Sequence, residues 1–148
     1  VKGEDFMEKV ELFSDNEELQ CELCGKNLLE DPKSSIMVAI ESKDRNNELI
    51  KDIYVCCKGI CDKKLVAEKR VNGFIDGWKD ISELMNPILY LKNIMAFMNR
   101  LHNGAKISES AFAQYKKIML TLAQYVMRKP TKKEYKEAEM DSSLPEGI

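Results

Sequence analysis

Three features of the sequence predict an α+β fold. Two close cysteine pairs bracket a stretch of apolar residues, that stretch alternates with the two-residue period of paired strands, and beyond it two long segments carry apolar side chains at helical spacing. The 148 residues, 44% hydrophobic and 32% charged, are enough to bury one real core. The expected architecture is an N-terminal module over residues 1–73, organised around the cysteines and preceded by a short helix. It packs on an antiparallel helical hairpin within residues 74–148, whose tail frays from residue 141.

Residues 4–13 put Phe6, Met7, Val10 and Phe13 on one helical face, and Ser14, Asp15 and Asn16 break it. The first cysteine pair, Cys21 and Cys24, ends in Gly25, which suits a tight turn under a metal. After a loop through Pro32, Ile36, Val38 and Ile40 alternate with Met37, Ala39 and Glu41, the pattern of a half-buried strand. Polar residues 42–48 form a turn, and residues 49–56 a second strand, with Ile53 and Val55 on the face that carries Cys57. Helix is expected from Asp62 to Val71, stopped by a left-handed cap at Asn72 and Gly73.

Everything beyond is expected to be helical. Phe74, Trp78 and Ile81 anchor a connector to the core, with Gly73 and Gly77 permitting its turns. Asn86 before Pro87 starts a helix with a side-chain acceptor and a preset φ, and Asn103–Gly104 ends it. Its predicted core stripe is Ile88, Leu91, Met95, Met98 and Leu101. Ser108 caps the next helix, which runs until Pro130. There Phe112, Tyr115, Met119, Leu122 and Val126 face the core, widened by Ala111, Ile118 and Tyr125. Thr131 with Glu134 forms a capping box for a last short helix.

The second cysteine pair, Cys57 and Cys61, stands where the second strand gives way to helix. Two thiol pairs brought together by a fold meet the ligand requirement of a tetrahedral structural zinc site. Zinc is therefore the expected cofactor, against two buried pairs of small apolar side chains or a redox dithiol. Cys56 is the rival third ligand, but on an extended strand it points away from Cys57, so one of the two reaches the metal. The order of knuckle, hairpin and helix start over residues 19–72 resembles the treble-clef zinc finger. Carried over position by position, that resemblance implies Cys21, Cys24, Cys57 and Cys61 as the ligands. The departure is the three-residue spacing of the second pair, where many treble clefs have two. Lys26, Lys58, Lys63 and Lys64 stand close enough in sequence to offset the charge of four thiolates.

The net charge of -2 hides an asymmetry: residues 1–35 carry four lysines against ten acids, and residues 99–136 nine basic residues against two acids. Five cysteines and no apolar leader at residue 1 predict a reducing, cytoplasmic setting, and no apolar run is long enough to span a membrane. The opposite face of the helix after Ser108 carries Gln114, Lys117, Thr121, Gln124 and Arg128. Lys116, Lys129, Lys132, Lys133 and Lys136 lie nearby, and with Lys117 and Arg128 they are the candidate nucleic-acid contacts. A solvated helix face is the favoured reading of these charges.

No catalytic constellation stands out. The one histidine, His102, sits near a helix C-terminus, residues 36–72 hold none, and no glycine-rich phosphate loop is present. A four-cysteine site leaves zinc no position for water. The expected function is a non-catalytic, zinc-stabilised binding or regulatory protein. A protein partner is favoured over DNA or RNA because the whole chain is mildly acidic. The alternatives are a DNA- or RNA-binding protein using the basic C-terminal helices, a thiol redox sensor, and, for assembly, a homodimer through leftover apolar surface.

Overall fold

The computed structural model describes residues 18–42, 44–128 and 130–140. The helix expected over residues 4–13 and the frayed tail from residue 141 lie outside the described residues, as does Lys129. The described chain is α+β, with a four-stranded sheet in which the strands over residues 74–80, 35–42, 49–57 and 106–107 lie side by side in that order. Strand β1 (Ser35–Ser42) pairs antiparallel with β2 (Leu49–Cys57), helix α1 (Ile60–Lys69) follows, and β3 (Phe74–Asp80) returns beside β1. Helices α2 (Ile81–Leu84) and α3 (Pro87–His102) come next. The two-residue β4 (Lys106–Ile107), α4 (Glu109–Val126) and α5 (Lys132–Glu139) complete the order.

The hairpin forms where the alternation places it, but β1 is buried on both faces rather than one. On one face Val38 opposes Tyr54, over whose ring the Lys69 ammonium of α1 sits at 5.2 Å. On the other, Met37 and Ala39 oppose Val55 and Ile53 and line a cleft with Phe97 of α3 and Tyr115 of α4. The sheet is thus covered by α1 on one side and by α3 and α4 on the other. A register shift between Ile40 and Glu41 leaves Lys51 unpaired in β2. That extra residue lets Ile50 and Ile53 share a face despite their odd spacing.

Residues 74–80 correct the expectation of a helical connector. They form an edge strand, paired with β1 from Ile36–Asp80 to Ser42–Phe74. Trp78 anchors nothing in the core; it is 57% exposed. Nor do Asn72 and Gly73 cap α1, which ends three residues earlier at Lys69. Gly73, at φ 89°, makes the turn in which the Phe74 N–H donates to the Val71 carbonyl, and that turn launches β3.

Local helix signals fare better. Asn86 accepts from the Ile88 and Leu89 N–H groups, Ser108 accepts from Ala111, and Thr131 with Glu134 closes a capping box. Helix α4 stops at Val126, short of Pro130. Helices α3 and α4 touch through side chains: the Tyr90 hydroxyl donates to the Met119 carbonyl at 2.6 Å, and Phe97 stacks on Tyr115 with centroids 4.0 Å apart.

The face that α3 turns inward is not the expected one. Tyr90, Ile94 and Phe97 pack against the core, whereas Leu91, Met95 and Met98 are exposed, Leu91 at 59% and Met98 at 56%. On α4, Tyr115, Ile118, Met119, Leu122 and Val126 are buried as expected, but Phe112 and Tyr125 are exposed. Thr121, expected on the polar face, is buried and satisfies its hydroxyl on the Lys117 carbonyl at 2.8 Å.

Asn86 does double duty. Its Oδ1 caps α3 and its Nδ2 donates to the Glu134 carbonyl at 2.9 Å, tying α5 to the start of α3. Asn86→Ala should cost about 1–2 kcal/mol through the lost cap and the orphaned carbonyl. A urea midpoint moved by less than a third of that would show the cap to be dispensable.

Candidate metal centre

The four expected ligands converge at one end of the sheet. Cys21 and Cys24 lie in a knuckle closed by the Gln20–Asn27 bridge, in which the Cys21 N–H donates to the Lys26 carbonyl and the Gly25 N–H to that of Cys21. Gly25 takes φ 78° there, a left-handed turn that a side chain would strain. The Glu22 N–H donates to the Val55 carbonyl at 2.9 Å and so fastens the knuckle to the end of β2. Two residues on, Cys57 is the last residue of β2. Gly59 at φ 86° then turns the chain into α1, whose first turn carries Cys61.

Among the described residues the sulfurs of Cys21, Cys24, Cys57 and Cys61 form a cluster within 4.8 Å of one another, a group that could hold a metal ion. All are free thiols. The Cys24 and Cys57 sulfurs are 3.7 Å apart, far beyond the ~2.05 Å of a disulfide. A tetrahedron of sulfurs with bonds of about 2.3 Å has edges of about 3.8 Å, so the spacing fits four-coordinate ligation. Cys56 is fully buried and outside the cluster, as the alternation of β2 requires.

The electrostatics also fit a cation. Burial works against ionisation at Cys21, but the backbone N–H groups of Cys24, Cys57 and Leu23 prevail and bring its thiol down to about 6. Burial pushes the Cys57 thiol up to about 12, helped by proton sharing with the Cys24 and Cys21 sulfurs, and Cys61 is raised for the same reasons. Four sulfurs this close cannot all carry charge without a cation among them. Lys58, expected to offset that charge, is engaged by Asp80 at 3.0 Å.

The described lysines among the expected nucleic-acid contacts lie on two helices. Lys116 and Lys117 are exposed on α4, and Lys132, Lys133 and Lys136 on α5. Arg128 is paired: its guanidinium makes two bonds to the Glu134 carboxylate, at 2.8 and 2.6 Å, and holds that carboxyl down to about 2. Sequence reasoning missed a cleft between the sheet and α3, lined by Ala39, Gly77, Asn93, Phe97, Arg100 and Tyr115. Its small residues, Ala39, Gly77 and Ala96, stand on three separate elements and carry no local signal in the sequence. No described helix is long and apolar enough to cross a membrane. Compared with known proteins, the chain matches no family model, no curated protein and no solved structure.

Proposed function

We propose that the chain is a non-catalytic binding protein whose N-terminal module is a treble-clef-like zinc finger. The observation that carries this reading is the closed set of four thiols joining a knuckle, a strand end and a helix start. Zinc suits four thiolates in a tetrahedral set, and with all four positions taken by sulfur it has none left for a reacting water. Its part is to clamp the knuckle to α1.

A protein is the favoured partner over DNA or RNA. Helix α3 offers solvent an apolar stripe of Leu91, Met95 and Met98, and methionine-rich apolar patches mark interaction surfaces. Of the basic candidates, Arg128 is paired with Glu134.

The test compares material captured by the tagged chain and by two double variants, Leu91→Lys with Met98→Lys, and Lys116→Ala with Lys117→Ala. The expected partner is a polypeptide that survives nuclease and is lost from the α3 variant only. Nuclease-sensitive capture, lost from the lysine variant and falling steeply with salt, would replace this reading by nucleic-acid binding.

A further inference from the structure

Strand β3 carries a glycine that its backbone does not require. Gly77 has no positive φ, and a Cβ built on it would meet only the Glu41 Oε1, at 3.9 Å. A glycine in a strand interior weakens the sheet, and one with open space above it often marks a place where something else approaches. Its partner across the ladder is Ala39, another small residue, and the two lie on the sheet face that α3 covers. Between them and α3 is an open cleft of about 290 Å³, whose helix side is Asn93, Ala96, Phe97 and Arg100. Small residues on both sides, Ala39 and Gly77 below and Ala96 above, are what keep it from filling.

The lining defines the ligand chemistry. The rings of Phe97 and Tyr115, stacked at 4.0 Å and 21° between planes, give the cleft an aromatic side. The Tyr115 hydroxyl donates to Asn93 Oδ1 at 2.7 Å, which orients that amide and leaves its two N–H donors unpaired among the described residues. The charges at the far end are already matched. Arg100 reaches Glu41 at 3.2 Å and Glu48 at 3.5 Å, and with Lys79, which also lines the cleft, two cations stand against two carboxylates, so the site carries no net charge to select an ionic ligand.

We propose that this cleft binds an uncharged, flat heteroaromatic molecule of one or two fused rings, lying between the Phe97–Tyr115 pair and the Ala39–Gly77 floor. A ring nitrogen or carbonyl of that molecule accepts from the Asn93 amide. The volume stands at the small end of the ~300–1,000 Å³ that ligand sites span, and a mostly apolar wall with a few polar groups is their usual make-up. This site is separate from the cysteine cluster and does not depend on what metal the cluster holds.

The test is a two-dimensional ¹H–¹⁵N NMR titration of the full metal-loaded chain with quinoline, near neutral pH where it is uncharged. Saturable shifts should centre on the amides of Ala39, Gly77, Asn93 and Phe97. Naphthalene, lacking the acceptor, should bind about tenfold more weakly, and benzoate should bind more weakly still. Gly77→Leu should fill the floor and weaken quinoline by about tenfold or more; Ala96→Leu, which fills the cleft from the helix side, gives the same reading if the first variant does not fold. Shifts that do not saturate, that centre elsewhere, or that survive the filling variants would overturn the proposal. So would benzoate or naphthalene binding as tightly as quinoline.

Discussion

Cys57→Ser should abolish tight metal binding, while Cys56→Ala leaves it intact. The two residues are neighbours, yet only the Cys57 sulfur belongs to the cluster, 3.7 Å from that of Cys24. Changing groups that merely orient a ligand costs ~10–100-fold in metal affinity. Removing one of four ligands should therefore cost more than about 100-fold, and the folding free energy coupled to the metal goes with it. That loss is large against the ~5–15 kcal/mol that holds a domain together. Cys56 is fully buried, its thiol pushed up to about 12 by burial and then by Asp62, so it behaves as a small inert core side chain. Cys56→Ala should cost about 1–2 kcal/mol of packing. Cobalt(II) titration reads the difference, because thiolate-to-cobalt charge-transfer bands report sulfur ligation directly. Equal band intensity in the Cys57→Ser variant and the native chain would remove Cys57 from the ligand set.

The second large effect is expected at Leu122→Ala, about 3–5 kcal/mol. Leu122 is fully buried in the contiguous core, on the face α4 turns toward β2. What sets the cost within that range is whether the helix can move to fill the hole. Helix α4 is held at its start, where the Ser108 N–H donates to the Ile50 carbonyl and the Ser108 hydroxyl to that of Lys51. It is held again at Met119, whose carbonyl accepts from Tyr90. A helix held at its start and again within a turn of the cavity relaxes little there, so the upper half of the range applies. A denaturant midpoint shift at unchanged m-value measures it. A loss below about 1 kcal/mol would mean that the layer over β2 repacks freely.

These effects divide along the same line as the legibility of the chain. Features fixed within a few residues could be read directly: the Asn86–Pro87 start, the Ser108 cap, the Thr131–Glu134 box, and the two thiol pairs at either end of a hairpin. Features fixed by distant partners could not. Residues 74–80 contain Asp76, Gly77 and Asp80, poor strand formers, and become a strand because β1 offers them a free edge. Helix α3 carries two apolar stripes at the same spacing, one through Leu91, Met95 and Met98 and one through Tyr90, Ile94 and Phe97. Periodicity cannot choose between them; the hydrogen bond to Met119 and the stack on Tyr115 do. Thr121 misled for a related reason, since a hydroxyl that bonds its own helix can be buried at little cost. The cleft was hidden altogether, being defined by missing side chains on three separate elements.

Sulfur ligation by Cys21, Cys24, Cys57 and Cys61 underlies the whole account, and elemental analysis coupled to a chelator melt tests it most directly. The account predicts about one zinc per chain in freshly purified protein, with a strong chelator removing it and the knuckle and α1 losing their order together. Metal-free protein that keeps the same melting temperature and the same cysteine environments with and without chelator would contradict it.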